Sequence, residues 1–348
     1  MTIQKSPNEM TAAVLAGPGR VNLETMPKPK LSESDVWVEV DLCGICGSDL
    51  HLILEGWAAP GSWQGHEWVG TVVEVGSGVT EFLPGDRVVG GPVASCGLCT
   101  HCKSARPSLC DKRGAADMDS MRGAFATYKL TKSQHLLPLP DGVDERAAAL
   151  TEPLAVALHA LSQGRVTRDS RVLVLGGGPI GALAIAAMAY MGVKSIVCAE
   201  PNEIRRKLAL AVGAHRVIDP SQLVVPSFAE PDRVVEDAVD VVLECSGKAT
   251  AMEAGLAQLV RGGTLVLVGA GIETPKLNPN RILLNELVIT GAYNHDEGGF
   301  VKALELLHSG CLPIEQPLEP GTVPLESLIE VMRDLASGQI AGKVLVQP

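Results

Sequence analysis

The sequence predicts a two-domain α/β protein, in which a β-barrel-like domain is joined to a doubly wound parallel sheet. Three observations predict it. Residues 11–90 carry short runs of alternating apolar and polar residues broken by Gly and Pro, the pattern of strands buried on one face. From Arg171 onward, uniformly apolar strand-like runs alternate with helical stretches, as in parallel sheets covered on both faces. A chain of 348 residues, 46% hydrophobic, is also long enough for two separate cores.

Composition excludes several classes of function. A formal net charge of −11 opposes binding to nucleic acid, whose phosphates demand a basic face, and opposes an anionic membrane surface. No apolar run reaches about 18 residues, so no membrane-spanning helix is expected. Residues 1–10 are polar and carry no apolar core of a secretory signal. Nine Cys are present, and four of them crowd into residues 96–110. Without a secretory signal, clustered Cys read as metal ligands before disulfides, and cytoplasmic residence is the expectation.

The elements follow in order. Thr11-Ala-Ala-Val-Leu and Val36-Trp-Val-Glu-Val open the chain as strands, and 68–90 continue in the same style up to Pro84-Gly-Asp-Arg-Val-Val. Residues 92–122 lose the alternation and hold the four clustered Cys. Residues 144–164, rich in Ala and Leu, read as helix, with Pro153 as a kink or restart. Arg171-Val-Leu-Val-Leu is a buried strand, and a helix follows over 182–191. Next come a strand at 195–199, a helix over 202–212, and short strands at 216–218 and 240–244. A helix from about 250 precedes strands at 264–268 and 287–290. Residues 220–238 are poorly periodic and stay unassigned. A helix over 300–308 and the closing Lys343-Val-Leu-Val return the chain to its first domain. The expected domains are therefore 1–157 with 297–348, and 158–296.

Gly176-Gly-Gly178-Pro179-Ile180-Gly181 is the strongest motif of the second domain. Placed between a strand and a helix, it reads as a dinucleotide loop. The first Gly makes the turn, the second lets backbone approach a pyrophosphate, and the third lets helix and strand pack closely. The helix N-terminus supplies free N–H groups for the phosphates. Glu200, at the end of the next strand, is placed to bond a ribose 2′-hydroxyl. A carboxylate there repels a 2′-phosphate, which favours NAD over NADP. Arg205 and Arg206 lie one turn further, able to cover the adenosine.

Two metal sites of different kind are expected in the first domain. Cys96-x2-Cys99-x2-Cys102-x7-Cys110 can close a thiolate tetrahedron with no open position, a structural zinc site. His101 among them reads as a solvated bystander. Cys46, His66 and Glu67 mix sulfur, nitrogen and oxygen donors, as open catalytic zinc sites do. Glu152 is a further candidate ligand at the seam of the domains. Cys43, three residues before Cys46, is an equal alternative on composition alone. His159 reads as a core histidine. Ser48 and His51 are candidates for a proton path out of the site, since imidazole titrates near neutrality. Asp49 with His66 suggests a carboxylate that orients a ligating imidazole.

In this order, Gly44-Ile-Cys46-Gly-Ser48-Asp-Leu-His51, Gly65-His66-Glu67, the four-Cys stretch, Glu152-Pro153 and the Gly176 loop resemble the zinc-dependent alcohol dehydrogenases of the medium-chain dehydrogenase/reductase family. The resemblance spans about residues 12–346 and is nearest the polyol, threonine and secondary-alcohol branch. It implies a GroES-like catalytic domain, a Rossmann coenzyme domain, and a homodimer or homotetramer joined through the latter. It implies Cys46, the Cys before Gly-Ser-Asp, as the ligand. Two zinc ions, an NAD coenzyme and a small alcohol or ketone substrate follow from it, with Ser48 and His51 relaying the proton. Lys343 matches a basic residue that contacts the coenzyme pyrophosphate in many members. Trp57, Trp63 and Trp68 fall close to the metal motif, and Trp57 and Trp63 are candidates for a pocket taking a bulky or cyclic alcohol. The Arg-Tyr pair by which sorbitol-type members hold polyols is not matched: the region reads Gly291-Ala-Tyr293-Asn294-His295. Asn294 and His295 remain candidates to bond a ring hydroxyl, as in a cyclitol. The alternative expectation is a family member that has lost catalysis and serves as a binding protein, an idea the intact ligand and relay residues oppose.

Overall fold

The computed structural model describes residues 8–91, 95–112 and 122–348. Residues 1–7 of the polar N-terminal stretch lie outside the described residues. Contacts divide the chain into two compact units. Met1–Glu152, Asp296–Ser309 and Leu318–Pro348 form the first, and Pro153–His295 with Gly310–Pro317 form the second. The sequence placed the division at 157/158 and 296/297 and gave 310–317 to the first unit. The chain crosses inside one continuous helix, Thr151–Gln163, so no shift in composition marks the first crossing.

The first unit opens with an antiparallel ribbon, β1 (Glu9–Gly17) and β2 (Arg20–Pro27), in which β1 is buried almost throughout and β2 is largely exposed. β3 (Asp35–Gly44) is the central strand. It pairs antiparallel with β4 (Glu67–Val75) along its length, and with β6 (Tyr128–Lys132) over its first half. β4 continues to β5 (Arg87–Gly90) and β5 to β7 (Leu136–Pro138). Val36, Val38, Val40, Cys43, Ile45, Trp68, Phe125 and Val346 share the main core, and Met10, Ala12, Trp37, Trp63 and Tyr128 form a second cluster.

The second unit is a six-stranded parallel sheet. β8 (Arg171–Leu175), β9 (Ser195–Ala199), β10 (Arg216–Ile218), β11 (Val239–Glu244), β12 (Leu259–Leu267) and β13 (Val288–Gly291) lie in the order β10-β9-β8-β11-β12-β13. The strand order reverses between β8 and β11, the switch point where such sheets bind ligands. Residues 219–238 are irregular apart from one short turn at Pro220–Gln222. Side chains tie that segment down: buried Arg281 donates to Arg233 O and Glu230 O, and Asn285 donates to Pro231 O. Two last strands, β14 (Val323–Pro324) and β15 (Leu345–Gln347), rejoin the first unit, where β15 pairs antiparallel with the end of β3. The α/β class and both architectures are those expected. Among the described residues, no helix is long and apolar enough to cross a membrane.

Candidate metal centre and dinucleotide loop

The site of the first unit is built where three strand ends meet. Gly44 ends β3, Glu67 begins β4 directly opposite it, and Leu345 of β15 pairs with Gly44 from the other side. A side chain at position 44 would crowd this junction, because its Cβ would lie 2.3 Å from Glu67 Oε2. Cys46 then starts a single helical turn, Gly47–Asp49. Gly65 at φ +101 turns the chain into His66, and a Cβ there would meet Phe125 N at 2.7 Å and Cys43 Sγ at 2.8 Å.

These turns bring Cys46, His66 and Glu67 together, with one donor atom from each lying within 4.8 Å of the others. Sulfur, imidazole and carboxylate in one cluster suit zinc. Asp49 is fully buried. Its Oδ2 accepts the Cys46 N–H at 2.9 Å, and its Oδ1 lies 3.6 Å from His66 Nδ1. That contact turns Nε2 toward the cluster, the orientation a ligating imidazole needs. Burial lowers the His66 pKa and Asp49, Cys46 and Glu152 raise it; the anions win, and it stands well above the usual histidine value. Ser48 Oγ is 3.5 Å from His66 Nε2, so its hydroxyl borders the cluster. Cys43 is wholly buried in the main core, and burial pushes its thiol well up. It packs, and Cys46 faces the site.

Glu152 is buried but is not one of the three clustered donors. Burial pushes it up to about 7, with His66 pulling it down and Glu67 pushing it further up.

Lys343 lies beside the metal motif. It is 1% exposed, and its Nζ donates to Ile45 O at 2.8 Å and to both Glu67 oxygens at 2.6 and 2.5 Å. Its charge is thus paired with the Glu67 carboxylate inside the site. The pairing of β15 with β3 brings Lys343 here, a contact no local sequence feature announces. Trp63 departs from the sequence reading. It is buried in the cluster with Trp37 and Tyr128 and is part of the barrel core rather than a pocket wall. Trp57 is half-exposed and stacks on the His51 ring, centroids 4.7 Å apart. Asn294, at φ +56, and the buried His295 end the second unit's main segment and are not among the clustered donors.

The four Cys of the other site also converge as donors within 4.8 Å. Backbone N–H groups point at their sulfurs: Leu98 and Cys99 to Cys96, Cys102 to Cys99, and Lys112 to Cys110, at 3.4–3.5 Å. These N–H groups hold Cys96 down to about 6. Burial, then hydrogen bonding with the neighbouring thiols, pushes Cys102 up to about 12. His101 stays outside, half-buried and 3.9 Å from Asp111 Oδ1.

In the second unit, Gly176 adopts φ +98 and donates to Ala199 O. A Cβ at Gly178 would meet nothing within 4 Å, while one at Gly181 would lie 2.0 Å from Gly176 O. Pro179 is the first residue of the helix Pro179–Met191, with Gly178 as its N-cap. Glu200 is buried, its two oxygens accepting the N–H groups of Gly177 at 2.7 Å and Asn202 at 2.8 Å. The Arg205 carbonyl approaches Gly177, and Arg206 is committed to the carbonyls of Glu200 and Pro201.

Two family models match the chain, an alcohol dehydrogenase GroES-like domain over residues 32–141 and a zinc-binding dehydrogenase over 179–309, together more than half of it. A sorbitol dehydrogenase of Halalkalibacterium halodurans is 34% identical, over 84% of this chain and 86% of that protein. Among solved structures, 2R,3R-butanediol dehydrogenase from Bacillus subtilis matches with a TM-score of 0.83 and 30% identity, covering 97% of this chain and 99% of that one. A protein from Sinorhizobium meliloti 1021, described as a zinc-binding dehydrogenase and solved bound to NADP, matches with a TM-score of 0.84 and 30% identity, covering 99% of this chain and 100% of that one.

Proposed function

The chain belongs to the zinc-binding alcohol dehydrogenases of the medium-chain dehydrogenase/reductase family, and from that premise we propose that it interconverts a secondary alcohol and its ketone with zinc and NAD. The observation that carries the reading is the convergence of Cys46, His66 and Glu67 in a chain that also holds a glycine loop for a dinucleotide. The substrate is a secondary alcohol, cyclic or polyhydroxylated. Relatives named for sorbitol and butanediol support a hydroxylated substrate. Sorbitol itself is disfavoured because the region Gly291-Ala292-Tyr293-Asn294-His295 lacks the Arg of the Arg-Tyr pair that sorbitol-type members carry.

When bound, zinc supplies a Lewis acid that lowers the pKa of a substrate hydroxyl, and the nicotinamide accepts or returns the hydride. Cys46, His66 and Glu67 would hold the zinc, with Glu152 as a further carboxylate at the site. Lys343 fixes Glu67 and Asp49 fixes His66. The Ser48 hydroxyl takes up the alcohol proton, and His51 passes it to solvent. The 176–181 turn offers N–H groups to the pyrophosphate. Glu200 faces the ribose, and with it NAD is preferred to NADP, although one relative was solved with NADP. The four-Cys lobe would hold a second, structural zinc. We also propose a cytoplasmic homo-oligomer joined through the second unit.

A panel of secondary alcohols with NAD and NADP, run on protein of known zinc content, tests the reading. NADH formation on cyclic or vicinal diols is expected. A fully zinc-loaded protein that turns over no alcohol or ketone with either coenzyme would sink it.

A further inference from the structure

We propose that Glu55 is a positioning residue that holds His51 as its Nδ1–H tautomer, so that Nε2 is the atom that takes up and releases the proton. The inference rests on the relay reading of His51 given above. His51 lies in a five-residue wide turn, Leu50–Leu54, a form of helix that clusters at functional sites. The turn closes with the Glu55 N–H on Leu50 O at 3.4 Å and sets His51 Nδ1 2.9 Å from Glu55 Oε1. This is the separation of an ion pair; the ring N–H is not aligned for a full hydrogen bond in this conformation.

The ring is fixed on a second side. Gly56 at φ +78 reverses the chain, and a Cβ there would lie 2.6 Å from Pro18 Cγ, so only glycine lets the turn close this tightly. The reversal brings Trp57 onto the imidazole face, 4.7 Å between centroids and 16° from parallel, with the Trp57 N–H donating to His51 O at 3.3 Å. One face and the Nδ1 edge of the ring are thus occupied. The nearest other carboxylate in sequence, Asp49, is committed to the Cys46 N–H and to His66. The same device therefore occurs twice in this unit. A carboxylate faces Nδ1 of His66, which ligates, and another faces Nδ1 of His51, which shuttles. Which ring nitrogen carries the proton is set by the partner of the other nitrogen.

Glu55 is about half exposed, so its effect is modest, unlike that of a buried triad member. Two measurements on the zinc-loaded protein decide the matter. Nitrogen-15 NMR of the His51 ring in the wild type is expected to show Nδ1 protonated and Nε2 bare in the neutral form, and Glu55→Gln to shift it toward the Nε2–H tautomer. In steady-state alcohol oxidation, Glu55→Gln is expected to lower kcat about three- to tenfold with KM unchanged, and to cost nothing further in a His51→Gln background. An Nε2–H tautomer in the wild type, an unchanged tautomer in Glu55→Gln, or losses that multiply in the double variant would each overturn the proposal. Absence of turnover in the wild type would remove the reaction assignment instead, and the tautomer measurement would still decide the role of Glu55.

Discussion

Lys343 shows how far single residues could be understood from the sequence. Cys46, His66 and Glu67 announce themselves by type and spacing, because metal donors are few and their clustering in sequence is rare. Lys343 lies far along the chain from Glu67, and only the pairing of β15 with β3 joins them. Removing one member of a buried ion pair leaves the other charge uncompensated, at a cost of about 3–5 kcal/mol. Lys343→Met is therefore expected to lower the denaturation midpoint sharply and to weaken zinc retention. Chemical denaturation with a zinc assay checks both, and an unchanged midpoint would refute the pair's importance. The titrating groups predict a pH dependence in the metal-free protein. Glu152 stands at about 7 against an ordinary 4.5, and His66 stands above its ordinary 6.5. Both bind a proton more tightly folded than unfolded, so each contributes stability that is complete below its unfolded pKa and lost as the pH rises through its folded one. The zinc-free protein should melt at a lower temperature at pH 8 than at pH 6. Glu152→Gln should flatten that fall, and thermal melts across the range measure it. Glu200 carries the coenzyme prediction. Because its oxygens also hold Gly177 and Asn202, Glu200→Ala should weaken binding of both coenzymes while moving the NAD/NADP ratio toward NADP. Titration with each dinucleotide reads the ratio, and an unchanged ratio would mean that Glu200 does not face the ribose.

At the scale of elements, the parallel strands were the most legible, because a strand buried on both faces is apolar at every position. Alternation likewise exposed β1, β3 and β4. The helices Pro279–Asn285 and Leu328–Ser337 went unassigned: the first is short and leaves Leu283 and Leu284 exposed, and the second follows a Pro-rich stretch that masked its start. Irregular residues 219–238 resisted assignment for a physical reason, since side chains from one distant helix, not a local repeat, satisfy several of their carbonyls. The four-Cys lobe belongs to the same class of dependence. Four donors lie together there, so an ion bound by them would help hold the segment. Its other anchor is Asp296, which accepts the Ser108 hydroxyl and pairs with Arg106, both at 2.6 Å. Cys99→Ser should lose one zinc per chain and lower the melting temperature while keeping the zinc at Cys46. Elemental analysis with calorimetry follows both, and retention of two ions would refute a tetrathiolate site.

For the molecule as a whole, the order of motifs along the chain was enough to foresee a β unit carrying metal donors and a parallel sheet carrying a dinucleotide loop. The substrate was less legible, because the residues near the metal motif divide between roles that sequence cannot separate: Trp63 supports the core, while Trp57 braces His51. The central claim is that an open zinc at Cys46 and His66 carries the chemistry of this chain. It is tested most directly by measuring zinc content and NADH formation on secondary alcohols for the wild type and Cys46→Ser side by side. The account predicts two zinc ions and turnover in the wild type, and one zinc, intact NAD binding, an unchanged fold and no turnover in the variant. Undiminished turnover by Cys46→Ser holding a single zinc would contradict it.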